Sequence, residues 1–174
     1  ADLVETRVMA SVDSPEITYV PNLPNSAFTT APKPLSAAQL ESVARAGMQH
    51  EQLDGDGRRR GFLLGDGTGV GKGQQLAAII WDNFRRGRKK AIWISVNGDL
   101  YQDAIRDFEG LGAMKVDPET GKVLSSQVGE VKLLNKWGAG KKIDMKAGTI
   151  FLTYNTLQSK EGGAEGQTRL QQIL

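Results

Sequence analysis

The sequence contains no cysteine and a single histidine, His50, among its 174 residues. Without cysteine the chain forms no disulfide, no thiolate zinc site and no cysteine nucleophile. One histidine confines any histidine-based metal site or Ser-His-Asp triad to the surroundings of that residue. His50 stands at the end of a helical pattern, where its imidazole is expected to interact with the helix dipole. Few kinds of catalysis therefore remain open.

Long apolar runs are also missing. No stretch approaches the roughly 18 consecutive apolar residues of a membrane-spanning helix, and residues 1–10 lack the basic start of a signal peptide. The chain has 39% apolar residues, 24% charged residues and a net charge of +2, as an average globular domain does. The composition predicts a soluble, intracellular domain without a membrane partner, cytoplasmic if the source is bacterial or phage.

Proline is scarce outside one end of the chain, whereas glycine is in excess. Five of the six prolines lie in residues 1–34, which we interpret as an extended N-terminal arm with at most a short edge strand at 16–20. Glycine supplies 21 of the 174 residues, about 12% against roughly 7% in average proteins. The positions of the glycines therefore decide the interpretation.

From residue 35 onward, helical and strand patterns alternate. Ser36 is suited to cap the first helix, and a glycine cluster separates the first apolar run from an amphipathic helix. Strand, glycine loop, helix and strand in this order predict an α/β fold with a parallel sheet. The predicted elements are helices over about residues 37–51, 73–87 and 99–111, strands over 61–65, 91–96 and 148–154, and a hairpin turn within 115–123.

The glycine cluster reads DGTGVGKG between the first predicted strand and the following helix. A phosphate-binding loop needs glycines where side chains would block the backbone amides, a lysine for the terminal phosphates and a helix N-terminus. Gly67, Gly69 and Gly71 meet the first need, and Lys72 is the cation. We therefore predict that ATP is bound by Asp66, Gly67, Thr68, Gly69, Val70, Gly71, Lys72 and Gly73, with Lys72 as the catalytic residue.

The loop departs at both ends from the common pattern G-x-x-x-x-G-K-[ST]. Asp66 replaces the first glycine, and Gly73 replaces the Ser or Thr whose hydroxyl normally binds Mg²⁺. The Mg²⁺ that accompanies ATP must then rely on phosphate oxygens, waters and a carboxylate. A solvated glycine turn and a dinucleotide-binding G-x-G-x-x-G loop are the alternatives, although the glycine spacing disfavours the dinucleotide loop.

Residues 61–113 resemble the N-terminal part of the helicase-type ATPase domain of strawberry notch proteins and their bacterial and phage relatives. The loop of that family is similar, G-D-G-x-G-V-G-K-G, and shares the glycine at position 73. The segments LSAAQLESVARAGMQHE and FLTYNTL also resemble the family, so the resemblance covers roughly residues 35–174 and hardly touches 1–34. It implies the first part of a RecA-like P-loop NTPase domain, a three-layer α/β sandwich with an incomplete parallel sheet.

The resemblance also implies roles for residues outside the loop. Gln39 takes the place of a glutamine of superfamily-two helicases, and its amide is suited to pair with N6 and N7 of adenine. Ser95 and Asn97 stand where such enzymes contact nucleic-acid backbone, and Thr153 and Tyr154 stand at a later single-strand contact. Ordinary capping of strand ends is the alternative for these polar side chains.

Hydrolysis by this fold needs an Asp-Glu pair at the end of a later strand. No predicted strand ends in such a pair, so the carboxylate ligand of Mg²⁺, the arginine finger and the second RecA-like lobe are expected outside this chain. The sequence thus predicts the ATP-binding portion of a helicase-like ATP hydrolase that acts on nucleic acid, inactive by itself. A small P-loop phosphotransferase and a non-catalytic interaction module with a vestigial loop are the alternatives.

Two runs of basic side chains, residues 58–60 and 85–90, precede predicted strands. Binding to nucleic-acid phosphates requires clustered Lys and Arg. Both runs are expected at the sheet edge opposite the glycine loop, however, and the net charge is small. We therefore interpret them as solubilising.

Overall fold

The computed structural model describes residues 11, 13, 15–159 and 168–173. Its helices are α1 (Ser26–Thr29), α2 (Ala37–Glu51), α3 (Lys72–Arg85), α4 (Leu100–Gly110), α5 (Tyr154–Gln158) and α6 (Arg169–Ile173). Its strands are β1 (Lys90–Ser95), β2 (Met114–Val116), β3 (Val123–Ser126), β4 (Glu130–Leu133) and β5 (Gly148–Thr153), and a 3-10 helix spans Leu134–Lys136. Within these ranges no helix is both long and apolar enough to cross a membrane.

β1, β5 and β4 form a parallel three-stranded sheet with β5 in the centre. β1 and β5 pair from Lys90 opposite Gly148 to Ser95 opposite Thr153, so both strands end at the same edge of the sheet. β5 is buried along almost its whole length, as expected of a parallel strand covered on both faces. The predicted parallel sheet is confirmed, and the predicted hairpin is the antiparallel pair β2 and β3.

Helices cover both faces of the sheet. On one face, Trp93 of β1 meets Phe108 of α4 with the ring centroids 6.0 Å apart, and this core extends to Trp81 of α3. On the opposite face, Ile150 and Leu152 of β5 pack with side chains of α5 and α6. The result is a helix, sheet and helix arrangement consistent with a P-loop NTPase fold.

α3 follows the glycine cluster and presents an apolar stripe to the core. Ala77, Ala78 and Trp81 recur at helical spacing and are fully buried. The helix ends at Arg85, and Gly87 then adopts a left-handed backbone conformation with φ of 91°. Glycine is suited to this position because it tolerates positive φ. The predicted end of this helix near Gly87 is therefore confirmed.

The described residues that precede α2 pack on α3 through a buried carboxylate. Asp82 is 2% exposed and accepts hydrogen bonds from the Tyr19 hydroxyl and, at 2.6 Å, from the backbone N–H of Asn22. The Arg86 Nε donates to the same carboxylate at 3.1 Å, and its guanidinium lies 4.5 Å from the centroid of the Tyr19 ring. Asp82 thus joins this segment to α3, while the domain boundary at residue 34 stays a prediction.

The predicted strand at 61–65 is wrong, and the short edge strand considered at 16–20 does not form. Residues 16–20 and 61–65 have no strand structure, and Leu63 is 88% exposed. An apolar run becomes a strand only when its backbone finds a partner, and β4 occupies the remaining place beside β5. Sequence analysis missed β4 because it has only four residues, two of them charged.

Candidate phosphate-binding site

The glycine cluster forms an exposed turn that leads directly into α3. Gly69 and Gly71 have left-handed backbones, with φ of 85° and 76°, a conformation that glycine adopts readily. Gly71 is the N-cap of the 14-residue helix and no side chain caps it. The first N–H groups of a helix lack carbonyl partners within the helix. The turn therefore presents backbone amides and the positive end of the helix dipole to solvent.

The Lys72 ammonium lies over this turn. Its Nζ donates hydrogen bonds to the carbonyl oxygens of Asp66 at 2.8 Å and Gly67 at 2.6 Å. Among the described residues no carboxylate forms an ion pair with it. The positive charge is thus placed at the loop and is not neutralised there, as the binding of an anion requires.

Asp66, the first departure from the common pattern, anchors the loop to the helix that follows it. Its Oδ2 accepts a hydrogen bond from Nε2 of Gln75 at 2.9 Å. Gln75 lies in the first turn of α3 and is 1% exposed. The contact joins the start of the loop to the helix at its end. Sequence analysis missed Gln75, because a glutamine within a helix carries no motif.

Gln39 connects the loop to α2. Its Oε1 accepts from the backbone N–H of Ser36 at 2.9 Å, and the Ser36 hydroxyl accepts from the backbone N–H of Gln39, which is a capping box. Its Nε2 donates to the carbonyl of Val70 at 3.0 Å, and a β-carbon at Gly71 would lie 2.5 Å from that nitrogen. Each atom of the amide keeps one hydrogen-bonding position, which an adenine contact requires.

Gly73, the second departure, faces a carboxylate of α4. A β-carbon built on Gly73 would collide with Oδ2 of Asp107 and would lie 3.0 Å from its Cγ. A Ser or Thr at position 73 therefore has no room while Asp107 keeps this position. Sequence analysis missed Asp107, because the contact depends on how α3 and α4 pack.

The predicted nucleic-acid contacts lie together at one edge of the sheet. Ser95 stands opposite Thr153 where β1 and β5 end, and Tyr154 is 52% exposed beside them. The Thr153 hydroxyl accepts from the backbone N–H of Thr156 at 3.1 Å, and the Asn97 side chain accepts from the backbone N–H of Asp99 at 3.1 Å. Thr153 and Asn97 therefore also serve as local caps, and their role toward nucleic acid stays a prediction.

Several side chains of the basic runs form contacts within the protein. Besides Arg86, the Arg88 Nε donates to the Asn83 side chain at 2.5 Å, and Arg60 donates to the Gln52 side chain at 2.7 Å. These guanidinium groups hold the ends of helices and loops together. The runs consequently contribute to the fold as well as to surface charge.

His50 lies in the last turn of α2. Burial lowers the pKa of its imidazole, Arg59 and Arg88 lower it further, and Asp82 acts in the opposite direction. Its Nδ1 is buried without a hydrogen-bond partner among the described residues. The lowered pKa favours the neutral imidazole, which interacts with the helix dipole less strongly than a cation does.

The whole chain was compared with families of known proteins. Residues 1–174 match the model of a family described as P-loop containing NTP hydrolase pore-1. The match includes residues 1–34, which the sequence resemblance hardly covered. No solved structure matches the chain.

Curated relatives align with nearly the whole chain. Protein strawberry notch of Drosophila melanogaster is 39% identical, over 99% of this chain and 10% of that protein. Protein strawberry notch homolog 2 of Mus musculus is 42% identical, over 99% of this chain and 12% of that protein. Protein FORGETTER 1 of Arabidopsis thaliana is 39% identical, again over 99% and 12%. The chain thus spans only 10% to 12% of the length of these relatives.

Proposed function

The chain belongs to the P-loop NTP hydrolase family of the strawberry notch proteins, and we propose that its glycine loop binds ATP. The proposal rests on one observation above all. The Lys72 ammonium, which pairs with no carboxylate among the described residues, lies over a turn of left-handed glycines at the N-terminus of a long helix. Backbone amides, helix dipole and ammonium all favour a polyphosphate at this place.

Binding would exchange the present partners of Lys72 for phosphate oxygens. The carbonyls of Asp66 and Gly67 now accept from its Nζ, and anionic oxygens are stronger acceptors than neutral carbonyls. The backbone amides of residues 67–73 would take the remaining phosphate oxygens. The anchors from Gln39 and Gln75 keep the loop in shape before the ligand arrives, which lowers the entropy lost on binding.

Gln39 is our proposed adenine contact. Its amide touches the loop through Val70 and retains one donor and one acceptor position. These two groups are the pair that recognises N6 and N7 of adenine. Gln39 would then link recognition of the base to the position of the phosphate loop.

The family implies a nucleotide and usually Mg²⁺. Among the described residues no group of three or more His, Cys, Asp or Glu side chains is arranged to hold a metal ion, so most ligands of Mg²⁺ would be phosphate oxygens and waters. Mg²⁺ would neutralise charge on the phosphates when bound. We propose that hydrolysis depends on an Asp-Glu pair outside residues 1–174, and that this chain binds ATP without turning it over.

For the longer protein we propose a helicase-like ATPase acting on nucleic acid. Support comes from Ser95, Asn97, Thr153 and Tyr154, which share the sheet edge where β1 and β5 end. A second RecA-like lobe would complete both the ATP site and the nucleic-acid path. Within this scheme residues 1–34 form an N-terminal arm and residues 35–174 the first part of the ATP-binding domain.

Calorimetry with purified residues 1–174 tests the ATP proposal. We expect ATP to bind in the presence of Mg²⁺, and Lys72→Ala to weaken binding at least about tenfold because a charged hydrogen bond is lost. Lys90→Ala is the control, since Lys90 begins β1 at the opposite end of the sheet. Equal affinity in the Lys72→Ala variant would contradict the proposal.

The same samples separate the proposal from its alternatives. A folded chain that binds no ATP would favour the non-catalytic interaction module. Phosphoryl transfer to an added acceptor would favour the small phosphotransferase. Release of phosphate that depends on Lys72 would overturn the expectation that hydrolysis needs residues outside this chain.

A further inference from the structure

The two unusual features around position 73 belong together. Gly73 lacks the hydroxyl that a Ser or Thr would supply, and Oδ2 of Asp107 fills the space where the side chain of such a residue would begin. An oxygen atom is thus present beside the second residue of α3, although it comes from another helix. A β-carbon at position 73 would collide with this carboxylate unless the Asp107 side chain moved.

In the part of the chain that the structure describes, the Asp107 carboxylate has no partner that explains its position. Within residues 15–159 and 168–173 no side chain forms a hydrogen bond or ion pair with it. Burial raises the pKa of the Asp107 carboxyl, while Lys33 and Arg106 act in the opposite direction without reaching ion-pair distance. A half-buried carboxylate with few compensating charges is stabilised when a cation or a hydrogen-bond donor joins it.

We propose that the Asp107 carboxylate supplies an oxygen ligand, directly or through a water, to the Mg²⁺ that accompanies ATP. The inference rests on the proposed binding of ATP by residues 66–73. Mg²⁺ prefers hard oxygen ligands and is commonly held by one or two carboxylates together with phosphates and waters. Asp107 would take the role that the hydroxyl at position 73 has in the common pattern. One carboxylate ligand of Mg²⁺ would then lie within this chain, whereas the sequence alone predicted it outside.

If Asp107 only stabilised the N-terminus of α3, it would weaken the binding of ATP. A carboxylate at the N-terminus of α3 also stabilises the helix dipole. In that case it would repel the phosphates of ATP, with or without metal. The dependence of ATP affinity on Mg²⁺ therefore distinguishes a metal ligand from a competing anion.

The decisive variant is Asp107→Asn, which keeps the shape and removes the charge. Calorimetry compares ATP binding in Mg²⁺ with binding in excess chelator. We expect the affinity for Mg²⁺-ATP to fall on the order of tenfold, since changing groups around a metal commonly has this effect. Binding of metal-free ATP should not weaken. Asp103→Asn, one turn earlier on α4 and paired with Arg106, should change neither.

Mn²⁺ in place of Mg²⁺ gives a second readout. Electron paramagnetic resonance measures the free Mn²⁺ that remains when the ion is added to the protein with ATP. We expect more free Mn²⁺ with Asp107→Asn than with the unsubstituted chain. Circular dichroism establishes that each variant is folded.

A double variant tests whether the two positions are equivalent. Gly73→Ser alone introduces the collision with Asp107, whereas Gly73→Ser combined with Asp107→Ala has room for the hydroxyl. The double variant should bind Mg²⁺-ATP more tightly than Asp107→Ala alone. A folded double variant without this gain would overturn the equivalence.

The outcomes separate this inference from the proposed function. If Asp107→Asn binds Mg²⁺-ATP as well as the unsubstituted chain, or loses equal affinity with and without metal, Asp107 is not a metal ligand. Lys72-dependent ATP binding would survive that result. If the unsubstituted chain binds no ATP, both proposals fail together.

Discussion

The two sides of the glycine loop are held in different ways. After the loop, α3 buries Ala77, Ala78 and Trp81 completely. Before the loop, residues 61–65 form no strand and Leu63 is 88% exposed. The conformation of the loop is therefore stabilised mainly by α3, and not by the unpaired residues 61–65.

Two glutamines make this asymmetry possible. Gln39 of α2 holds the carbonyl of Val70, and Gln75 of α3 holds the carboxylate of Asp66. Both amides reach the loop from helices that are anchored in the core. The glycine loop is thereby held without hydrogen bonds from a preceding strand.

The largest expected change in stability comes from comparing a substitution in α3 with one in residues 61–65. Trp81→Ala leaves a large cavity in the core and should lower the free energy of unfolding by about 3–5 kcal/mol. Leu63→Ala removes an exposed side chain and should change it by less than about 0.5 kcal/mol. Chemical denaturation followed by circular dichroism measures both. Comparable losses for the two variants would show that residues 61–65 are packed in solution.

The buried carboxylate of α3 gives the next largest effect. Asp82→Ala leaves the Tyr19 hydroxyl, the Asn22 N–H and the Arg86 Nε without their acceptor, while another nitrogen of Arg86 still donates to the Val20 carbonyl. Unpaired buried donors of this kind should lower the free energy of unfolding by about 2–3 kcal/mol. Denaturant titration again provides the measurement.

Glu51→Gln is the control for this network. Glu51 is 59% exposed and only reaches Arg86 at 4.0 Å, so the change should be below about 0.5 kcal/mol. If Asp82→Ala were as mild as this control, the contact between α3 and the segment around Tyr19 would not contribute to stability.

The sequence predicted the helical side well because periodicity and capping are local. Ser36 begins α2 as expected, and the stripe on α3 follows helical spacing. Residues 61–65 were predicted as a strand from apolarity alone, which does not reveal whether a backbone partner exists. Strand β4 was missed for the converse reason, since its partner β5 decides its structure.

The candidate site was predictable only in part. The motif located Lys72 and the glycines, because spacing along the chain fixes the phosphate loop. It could not reveal Gln75 or Asp107, because their contacts with Asp66 and Gly73 arise from helix packing. The two departures from the common pattern, Asp66 and Gly73, are therefore explained by contacts that only the folded structure shows.

A smaller effect is expected when the loop loses its anchor from α2. Gln39→Ala removes the side-chain half of a capping box and the hydrogen bond to Val70, which should lower the free energy of unfolding by about 1–2 kcal/mol. Hydrogen exchange at residues 67–72 should become faster.

Gln39→Glu separates the two contacts. It keeps an acceptor for the Ser36 N–H and has no donor for the Val70 carbonyl. We expect a smaller loss of stability than in Gln39→Ala, because the contact with the Ser36 N–H remains, together with faster exchange in the loop. Unaltered exchange in both variants would mean that the loop does not depend on α2.

The smallest expected change in stability concerns His50, in the last turn of α2. The folded-state pKa of His50 lies below its ordinary value of 6.5, mainly because of burial. As the pH falls from 7.5 past the ordinary histidine pKa of 6.5, the unfolded chain takes up a proton on His50 before the folded chain does. The free energy of unfolding therefore decreases. His50→Gln should lose this part of the pH dependence, which the difference between the two denaturation series isolates. If stability instead rose toward pH 5.5 relative to the variant, His50 would act as a cation on the helix dipole, as its position in the sequence suggested.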